Sequence, residues 1–271
     1  MTKQKINSLS GKDWLKYSFS IWRDIKKGSI DNGYSNPASF PVELPSRIIK
    51  IFTNTGAWIL DPFMGSGSTI VASIIEGRNS IGIELSEKFY KEAQKRAKML
   101  SLEKLSNPDL SSKLYHGNSL ELEKFVKEKS IDLCVTSPPY WDILNRKRSA
   151  DGKNNVRYSD SNQDLGNIAD YGAFLEKLAS VFSKVHSVLK EEGYCVVVVM
   201  DIRKGGMFYP FHSDLSTLMV KLGFKFKDII IWDRQKEYNN MRPLGYPYSF
   251  VINKVHEYIL IFQRGDLKNV S

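Results

Sequence analysis

The chain has 271 residues, 42% hydrophobic and 25% charged, a composition that suits one large core and leaves little room for a second full domain. With 39 Lys and Arg against 30 Asp and Glu, its net charge of +9 favours a polyanionic partner over a small neutral substrate. The first ten residues lack an apolar signal segment and no run reaches the roughly 20 apolar residues of a membrane span, so we expect a soluble, cytoplasmic protein without membrane contact.

The cysteines and histidines do not form a pattern of metal ligands. Cys134 and Cys195 lie in apolar, strand-like runs, so we expect buried, reduced thiols and no disulfide framework. The histidines are scattered along the chain without ligand spacing to either cysteine, which argues against a metal site.

The first 40 residues are predicted to be an N-terminal extension. Its aromatic residues Trp14, Tyr17 and Trp22 could form one face of a helix that docks on the core, or they could touch a ligand or DNA. After this extension, Pro45 near a first turn and apolar residues at 44, 48, 49 and 51 predict a helix that begins near Leu44.

Strands and helices then alternate, which predicts an α/β fold with a mostly parallel, seven-stranded sheet. We expect strands at about 58–63, 80–84, 113–117, 131–136, 194–200, 226–232 and 256–262. We expect helices at about 68–77, 86–100, 170–189 and 213–222. Because the strands are continuously apolar, the sheet should carry helices on both faces.

Two stretches interrupt this alternation and are candidates for contact with nucleic acid. Residues 142–167 are rich in Asn, Ser, Asp and Gly, and a loop this long in a compact domain is usually functional or disordered. In residues 234–254, basic side chains lie among tyrosines and prolines, which suits a nucleic-acid backbone but also a solvated pair of loops. The candidate contact residues are Trp141, Arg146, Lys147, Arg148, Lys153, Arg157, Arg234, Lys236 and Arg242.

A loop containing two glycines follows the first strong strand and opens a helix, with the sequence DPFMGSGST from Asp61. Glycine allows the backbone to approach a ligand without a Cβ clash, but position 70 is Ile70 where a dinucleotide fingerprint requires glycine, so a nicotinamide cofactor is disfavoured. Glu84 closes the next strand, where its carboxylate could accept both hydroxyls of a ribose. Asn118, after the third strand, could bind an adenine edge.

The turn TSPPYW, from Thr136 to Trp141, follows the apolar run IDLCV at the carboxyl end of a predicted strand, where open α/β sheets bind their ligands. The Ser137 hydroxyl and the carbonyls of the two prolines are acceptors, and Tyr140 offers an aromatic face for a flat heterocycle. These groups describe a pocket for a nucleobase amine. Taken alone, they could equally be a proline-rich turn with its aromatic residues in the core.

Together, DPFMGSGST, IGIEL and TSPPYW resemble the motifs of the DNA amino-methyltransferases, which use S-adenosylmethionine to methylate adenine N6 or cytosine N4. FPVELPSRIIKIF, IIIWDR and HEYILIF resemble that family's cofactor-side helix, late strand and terminal strand, so the likeness covers nearly the whole chain. The resemblance implies a single catalytic domain with a Rossmann-like methyltransferase fold, S-adenosylmethionine as cofactor and double-stranded DNA as partner. It implies cofactor binding by Asp61, Phe63, Gly65, Gly67, Glu84 and Asn118, and a catalytic site of Ser137, Pro138, Pro139 and Tyr140.

The order of the motifs resembles a circular permutation of the family's β group and matches the order in its γ group. In the β group, the proline-tyrosine motif comes first and the glycine loop lies near the C-terminus. Only residues 235–255 separate IIIWDR from HEYILIF here, too few for a separate recognition domain. Target recognition would therefore depend on the two basic loops.

The residues favour direct methyl transfer to an exocyclic amine, and a serine in the first motif position resembles the cytosine-N4 enzymes more than the adenine-N6 enzymes. Methylation of cytosine carbon 5 would require a nucleophilic cysteine beside the base, and both cysteines lie inside predicted strands. An RNA amine methyltransferase and a catalytically inactive nucleic-acid-binding protein are the alternatives. A cognate restriction endonuclease would be a further partner.

Overall fold

The computed structural model describes residues 5–32, 40–102, 109–142, 164–237 and 243–266, without the side chains of 101 and 102. Within these residues the helices are α1 (Gly11–Tyr17), α2 (Glu43–Phe52), α3 (Ser68–Ile75), α4 (Glu87–Leu102), α5 (Tyr171–Val188) and α6 (Phe211–Lys221). The strands are β1 (Ile21–Trp22), β2 (Trp58–Asp61), β3 (Asn79–Glu84), β4 (Ser112–His116), β5 (Ile131–Thr136), β6 (Leu189–Val199), β7 (Ile202–Lys204), β8 (Met207–Tyr209), β9 (Phe224–Asp233) and β10 (His256–Arg264).

One eight-stranded sheet forms the centre of the molecule, in the order β1-β9-β10-β6-β5-β2-β3-β4. Its strands are parallel except β10, which runs antiparallel to both β6 and β9. From β2 the chain moves outward to β3 and β4 and then returns to β5 on the other side of β2, so the direction of winding reverses there. Ligands bind at such a switch point in open α/β sheets.

Helices cover both faces of the sheet, because successive side chains of a buried strand point to opposite sides. On one face, Cys134, Cys195 and Val197 pack with the apolar sides of α5 and α6. On the other face, Leu133 and Val196 pack with α2, α3 and α4. The arrangement confirms the predicted α/β fold with a doubly covered sheet.

All seven predicted strands are present, but the sheet has an eighth strand that the sequence did not indicate. Trp22 is 1% exposed and lies in β1, where it pairs with Trp232 of β9. The predicted helical face of Trp14, Tyr17 and Trp22 is wrong, because α1 ends at Tyr17, buries none of its side chains and leaves Trp14 52% exposed. Part of the predicted N-terminal extension is thus an edge of the sheet.

Two further features complete the part of the fold that positions the site. Strands β7 and β8 form a separate antiparallel hairpin after β6, which the sequence did not predict either. Cys134 and Cys195 are buried neighbours on β5 and β6 with free thiols, as predicted. No helix in the described parts of the chain combines the length and the apolar character that a membrane crossing requires.

Candidate active site

Two of the predicted motifs meet at the switch point between β2 and β5. Asp61, the last residue of β2, is 2% exposed, and its Oδ1 accepts a hydrogen bond of 2.6 Å from the hydroxyl of Thr136 at the end of β5. The same oxygen accepts the backbone N–H of Phe63 at 3.0 Å. Asp61 thus connects the start of the glycine loop directly to the residue that precedes Ser137.

The glycine loop is held against β3 by Glu84. One carboxylate oxygen of Glu84 accepts the backbone N–H of Gly65 at 2.9 Å, and the other accepts that of Ser86 at 2.7 Å. Gly65 and Gly67 have φ values of 52° and 86°, in the left-handed region that favours glycine, and a Cβ on Gly67 would lie 2.9 Å from that of Ala93. The two glycines are therefore required by the turn that leads into α3.

Burial changes the acidity of both carboxyl groups. Desolvation raises the pKa of Asp61 from 3.8 to about 6, against the lowering effect of the hydrogen bond from Thr136. Desolvation also raises the pKa of Glu84, from 4.5 to about 7, and its two backbone hydrogen bonds only partly oppose the effect. Glu84 therefore changes between its neutral and charged forms near neutral pH.

These pKa shifts predict a pH dependence of stability. A carboxyl group whose pKa is raised by folding binds more protons in the folded state, so the free energy of unfolding should fall as pH rises from 4.5 to about 7 for Glu84. The loss should be a few kcal/mol, at about 1.4 kcal/mol per pH unit. Urea unfolding at several pH values should show that wild type loses stability relative to Glu84→Gln across this window. The exposed residue Glu87 provides the control, Glu87→Gln. If the stabilities of wild type and Glu84→Gln changed with pH in parallel, the prediction would be contradicted.

The end of β4 completes the rim of this region. The Oδ1 of Asn118 accepts the backbone N–H of Leu120 at 2.9 Å and so caps a short 3₁₀ helix, Ser119–Lys124. The hydroxyl of Ser119 donates to the Pro62 carbonyl and links this turn to the glycine loop. Contact between Asn118 and an adenine edge stays a prediction, since part of the side chain is used by the cap.

The glycine loop also retains an unused polar atom. The hydroxyl of Ser66 is buried and has no hydrogen-bond partner among the described residues. A buried hydroxyl without a partner carries a free-energy cost, and a ligand with a polar group at this loop would remove it. Carboxylates that accept hydroxyls, backbone N–H groups and an unpaired serine fit a ribose-containing cofactor better than a phosphate, which two neighbouring carboxylates would repel.

The turn that the sequence predicts to be catalytic follows β5, with Pro138 buried and Ser137, Pro139 and Tyr140 half-buried. The hydroxyl of Ser137 donates to that of Tyr140 at 3.1 Å, and the Tyr140 hydroxyl donates to Oε2 of Glu257 at 2.9 Å. The ring of Tyr140 lies edge-on to Phe211, with 6.4 Å between centroids. The turn is thus fixed by contacts with β10 and α6.

Trp141 does not lie where the sequence placed it. Its φ is 51°, which turns the indole into the core, where it is 4% exposed and donates Nε1–H to the Ile168 carbonyl at 2.8 Å. The ammonium of Lys204, on the β7–β8 hairpin, lies 3.3 Å from the indole centroid. The predicted nucleic-acid contact of Trp141 is therefore contradicted, and the residue instead anchors the turn to the hairpin.

Of the predicted basic contacts, only two lie within the described residues. Arg234 uses its guanidinium internally, donating to Glu257 and, at 2.7 Å, to Glu237, so a direct contact with nucleic acid is not supported. Lys236 is exposed beside it. The others lie outside the described residues: Arg146, Lys147, Arg148, Lys153, Arg157 and Arg242.

Glu257 is the site residue that the sequence reasoning missed. It is 6% exposed at the start of β10 and joins Tyr140 to Arg234. Its signal in the sequence is an acidic residue at the end of an otherwise apolar strand, the same signal that identified Glu84. The difference is that β10 is antiparallel, so its first residues, and not its last, reach the carboxyl edge of the sheet.

Comparison with known proteins finds sequence similarity to DNA methylases. A family model for DNA methylases, the N6/N4 methyltransferases, matches residues 2–95 and 131–270. The type II methyltransferase M.BglI of Bacillus subtilis is 33% identical over 130 residues, 48% of this chain and 36% of that protein. The type II methyltransferase M.MjaI of Methanocaldococcus jannaschii is 50% identical over 50 residues, 18% of this chain and 16% of that protein.

A solved structure also resembles part of the chain. The DNA modification methylase TTHA0409 of Thermus thermophilus, in complex with S-adenosyl-L-methionine, is 30% identical and has a TM-score of 0.39, over 55% of this chain and 54% of that one. The alignments with M.BglI and M.MjaI span about a third or less of the length of those relatives.

Proposed function

Because this chain belongs to the N6/N4 methyltransferase family of DNA methylases, we propose that it methylates the exocyclic amine of a base flipped out of double-stranded DNA, with S-adenosylmethionine as methyl donor. The observation that supports the proposal is the hydrogen bond between Asp61 and Thr136, which joins the glycine loop to the turn that begins at Ser137. We also propose a cytoplasmic location and, since relatives such as M.BglI are type II methyltransferases, a cognate restriction endonuclease as partner.

The cofactor would be held at the ends of β2, β3 and β4. Glu84 would accept ribose hydroxyls, and the backbone around Gly65 and Gly67 would allow close approach. When bound, S-adenosylmethionine supplies an electrophilic methyl group on a positively charged sulfur. Asp61, Phe63 and Asn118 would complete the contacts, and the carboxylate of Asp61 would favour that positive charge.

The catalytic turn would bind and orient the amine. Acceptors at the Ser137 Oγ and the Pro138 carbonyl would hold the amine hydrogens, which favours a pyramidal nitrogen whose lone pair is less delocalised into the ring. The nitrogen would form a bond to the methyl carbon while the bond from that carbon to the cofactor sulfur breaks, with the electron pair remaining on the sulfur, which becomes neutral. The nitrogen would give up one of these hydrogens as a proton to water. Tyr140 would stack on the flipped base and offset part of the few kcal/mol that flipping costs.

We favour cytosine N4 as the acceptor, and the support is the serine at position 137. The test is to incubate the protein with duplex DNA and labelled S-adenosylmethionine, digest the DNA, and identify labelled nucleosides by chromatography and mass spectrometry. Label in N4-methylcytosine is the expected result, and label in N6-methyladenine would overturn this choice. Methyl transfer to tRNA in preference to duplex DNA, with both present, would instead indicate an RNA enzyme, and cofactor binding without any transfer would indicate an inactive binding protein.

DNA would contact the loop between β9 and β10, at the same edge of the sheet as the catalytic turn. Its described part carries three aromatic side chains that are unusually exposed: Tyr246 is 77%, Tyr248 95% and Phe250 96% exposed. Exposed aromatic rings beside a basic chain segment suit stacking on bases and contact with a polyanion.

Replacing Tyr248 and Phe250 together with alanine is therefore expected to weaken DNA binding by about tenfold or more, since base stacking contributes about 1–3 kcal/mol per base. Binding to fluorescent duplex DNA would measure the effect, and affinity for the cofactor should not change. Phe226→Ala, at the opposite end of β9 and 39% exposed, is the matched control. Equal DNA affinity of the double variant and wild type would remove this loop from the interface.

A further inference from the structure

We propose that Glu257 is a positioning residue that acts through Tyr140 to fix the direction of the hydrogen bonds at Ser137, and thereby keeps the Ser137 oxygen available as an acceptor for the target amine. This inference rests on the proposed function. It assigns a role to a residue that lies 117 positions from Tyr140 in the sequence and reaches it only because β10 is antiparallel.

A continuous chain of hydrogen bonds connects Ser137 to Arg234. The Ser137 and Tyr140 hydroxyl oxygens are 3.1 Å apart, and the Tyr140 hydroxyl is 2.9 Å from Oε2 of Glu257. The other oxygen of Glu257 accepts from Arg234. Glu257 is 6% exposed and the Arg234 side chain 22%, so water competes little for these bonds.

The donor and acceptor chemistry of Arg234 and Glu257 sets the direction of these hydrogen bonds. A guanidinium is only a donor and a carboxylate is only an acceptor. Glu257 forms an ion pair with Arg234 and accepts from both of its partners, so Tyr140 donates to Glu257 and its oxygen is left to accept from Ser137. The Ser137 proton is thereby occupied, and its lone pairs face the place where a substrate amine would donate.

The acid-base properties of Tyr140 agree with this direction. Burial raises the pKa of Tyr140 well above 10, and the negative charge of Glu257 raises it further. The phenol therefore stays protonated and remains a donor near neutral pH. Without the carboxylate, the hydroxyls of Ser137 and Tyr140 could exchange roles, and Ser137 could present a proton to the amine.

Glu257→Gln tests the direction of these hydrogen bonds, because a glutamine side chain has nearly the same shape as a glutamate side chain. Arg234 requires an acceptor, so the new amide should turn its oxygen toward Arg234 and its NH₂ toward Tyr140. Tyr140 would then accept from the amide and donate to Ser137 at 3.1 Å, which is nearer than the Val198 carbonyl at 3.5 Å, so the direction of these hydrogen bonds would reverse. We expect single-turnover methyl transfer to slow by about 10- to 100-fold, while the cofactor Kd from calorimetry and the KM for DNA change by less than about twofold.

Two comparisons separate this role from a merely structural one. Glu237→Gln is the matched control, because Glu237 also binds Arg234 but does not take part in the hydrogen bonds of Tyr140, and its rate should equal that of wild type. Tyr140→Phe removes the hydroxyl through which Glu257 is proposed to act, and it should itself slow transfer. In the Tyr140→Phe background, Glu257→Gln should change the rate by less than about twofold; two independent, multiplying effects would overturn the inference.

The possible failures are distinguishable. If wild type transfers no methyl group to DNA, the proposed function is wrong, whatever Glu257 does. If wild type is active and Glu257→Gln is equally active, only the role of Glu257 is wrong. If Glu257→Gln lowers the melting temperature strongly, Tyr140→Phe alone decides, because an undiminished rate in that variant would exclude any action through the hydroxyl.

Discussion

Ser137→Ala is expected to slow methyl transfer by about 100- to 1,000-fold and to leave the affinity for S-adenosylmethionine within about twofold of wild type. The expected loss is that of a fixed acceptor aimed at charge that develops in the transition state. The Ser137 hydroxyl is held by a hydrogen bond of 3.1 Å to Tyr140, which is itself bound to Glu257, so alanine removes an acceptor whose position is fixed. The contact with the cofactor loop is made by Thr136 and not by Ser137, which is why cofactor affinity should persist.

Single-turnover kinetics with duplex DNA would measure this rate, since product release does not affect the first turnover. Ser180→Ala is a suitable control, because Ser180 is exposed on α5 and bonds only to the Glu176 carbonyl within the helix. A Ser137→Ala variant that retains more than about a third of the wild-type rate would show that the amine does not depend on this hydroxyl. An equal loss of cofactor affinity would show that the turn and the cofactor loop fail together.

The long, continuously apolar strands could be predicted because burial on both faces leaves a strong signal in the sequence. Strand β1 could not, since its two residues carry no periodicity and their pairing with Ile231 and Trp232 is a tertiary contact. The β7–β8 hairpin is similarly short, with strands of three residues. The conformation of such short segments is determined by the surface against which they pack, so the local sequence does not identify them.

The same limit applies to the individual side chains of the site. Glu84 was predicted because it closes a strand, and Asp61 because DPFMGSGST resembles a cofactor-binding motif; the structure connects both side chains to the glycine loop. Trp141 and Arg234 were misplaced because an aromatic ring or a positive charge beside a catalytic motif suits a nucleic acid and an internal partner equally well. The partners that hold these two side chains inside the protein, the Ile168 carbonyl and Glu257, are distant in sequence.

Glu84→Gln is expected to weaken binding of S-adenosylmethionine by about 100-fold, or about 3 kcal/mol, which corresponds to one or two hydrogen bonds to a charged acceptor. Wild-type Glu84 uses one oxygen for Gly65 and the other for Ser86, and each oxygen retains a lone pair for a ligand hydroxyl. An amide at this position replaces one acceptor by a donor. One backbone N–H would then face an NH₂ group, and the glycine loop would shift away from the cofactor.

Calorimetric titration with the cofactor in the absence of DNA isolates this step from catalysis, and Glu87→Gln, exposed at the start of α4, is the matched control. Because burial raises the pKa of Glu84 to about 7, wild-type affinity should rise with pH from about 6 to about 8 as the carboxylate forms. The variant lacks the titrating group, so its affinity should show a smaller dependence on pH in that range. Wild-type affinity that is independent of pH would contradict this role of the charge and would mean that Glu84 binds the ribose equally well in its protonated form, with one oxygen as donor.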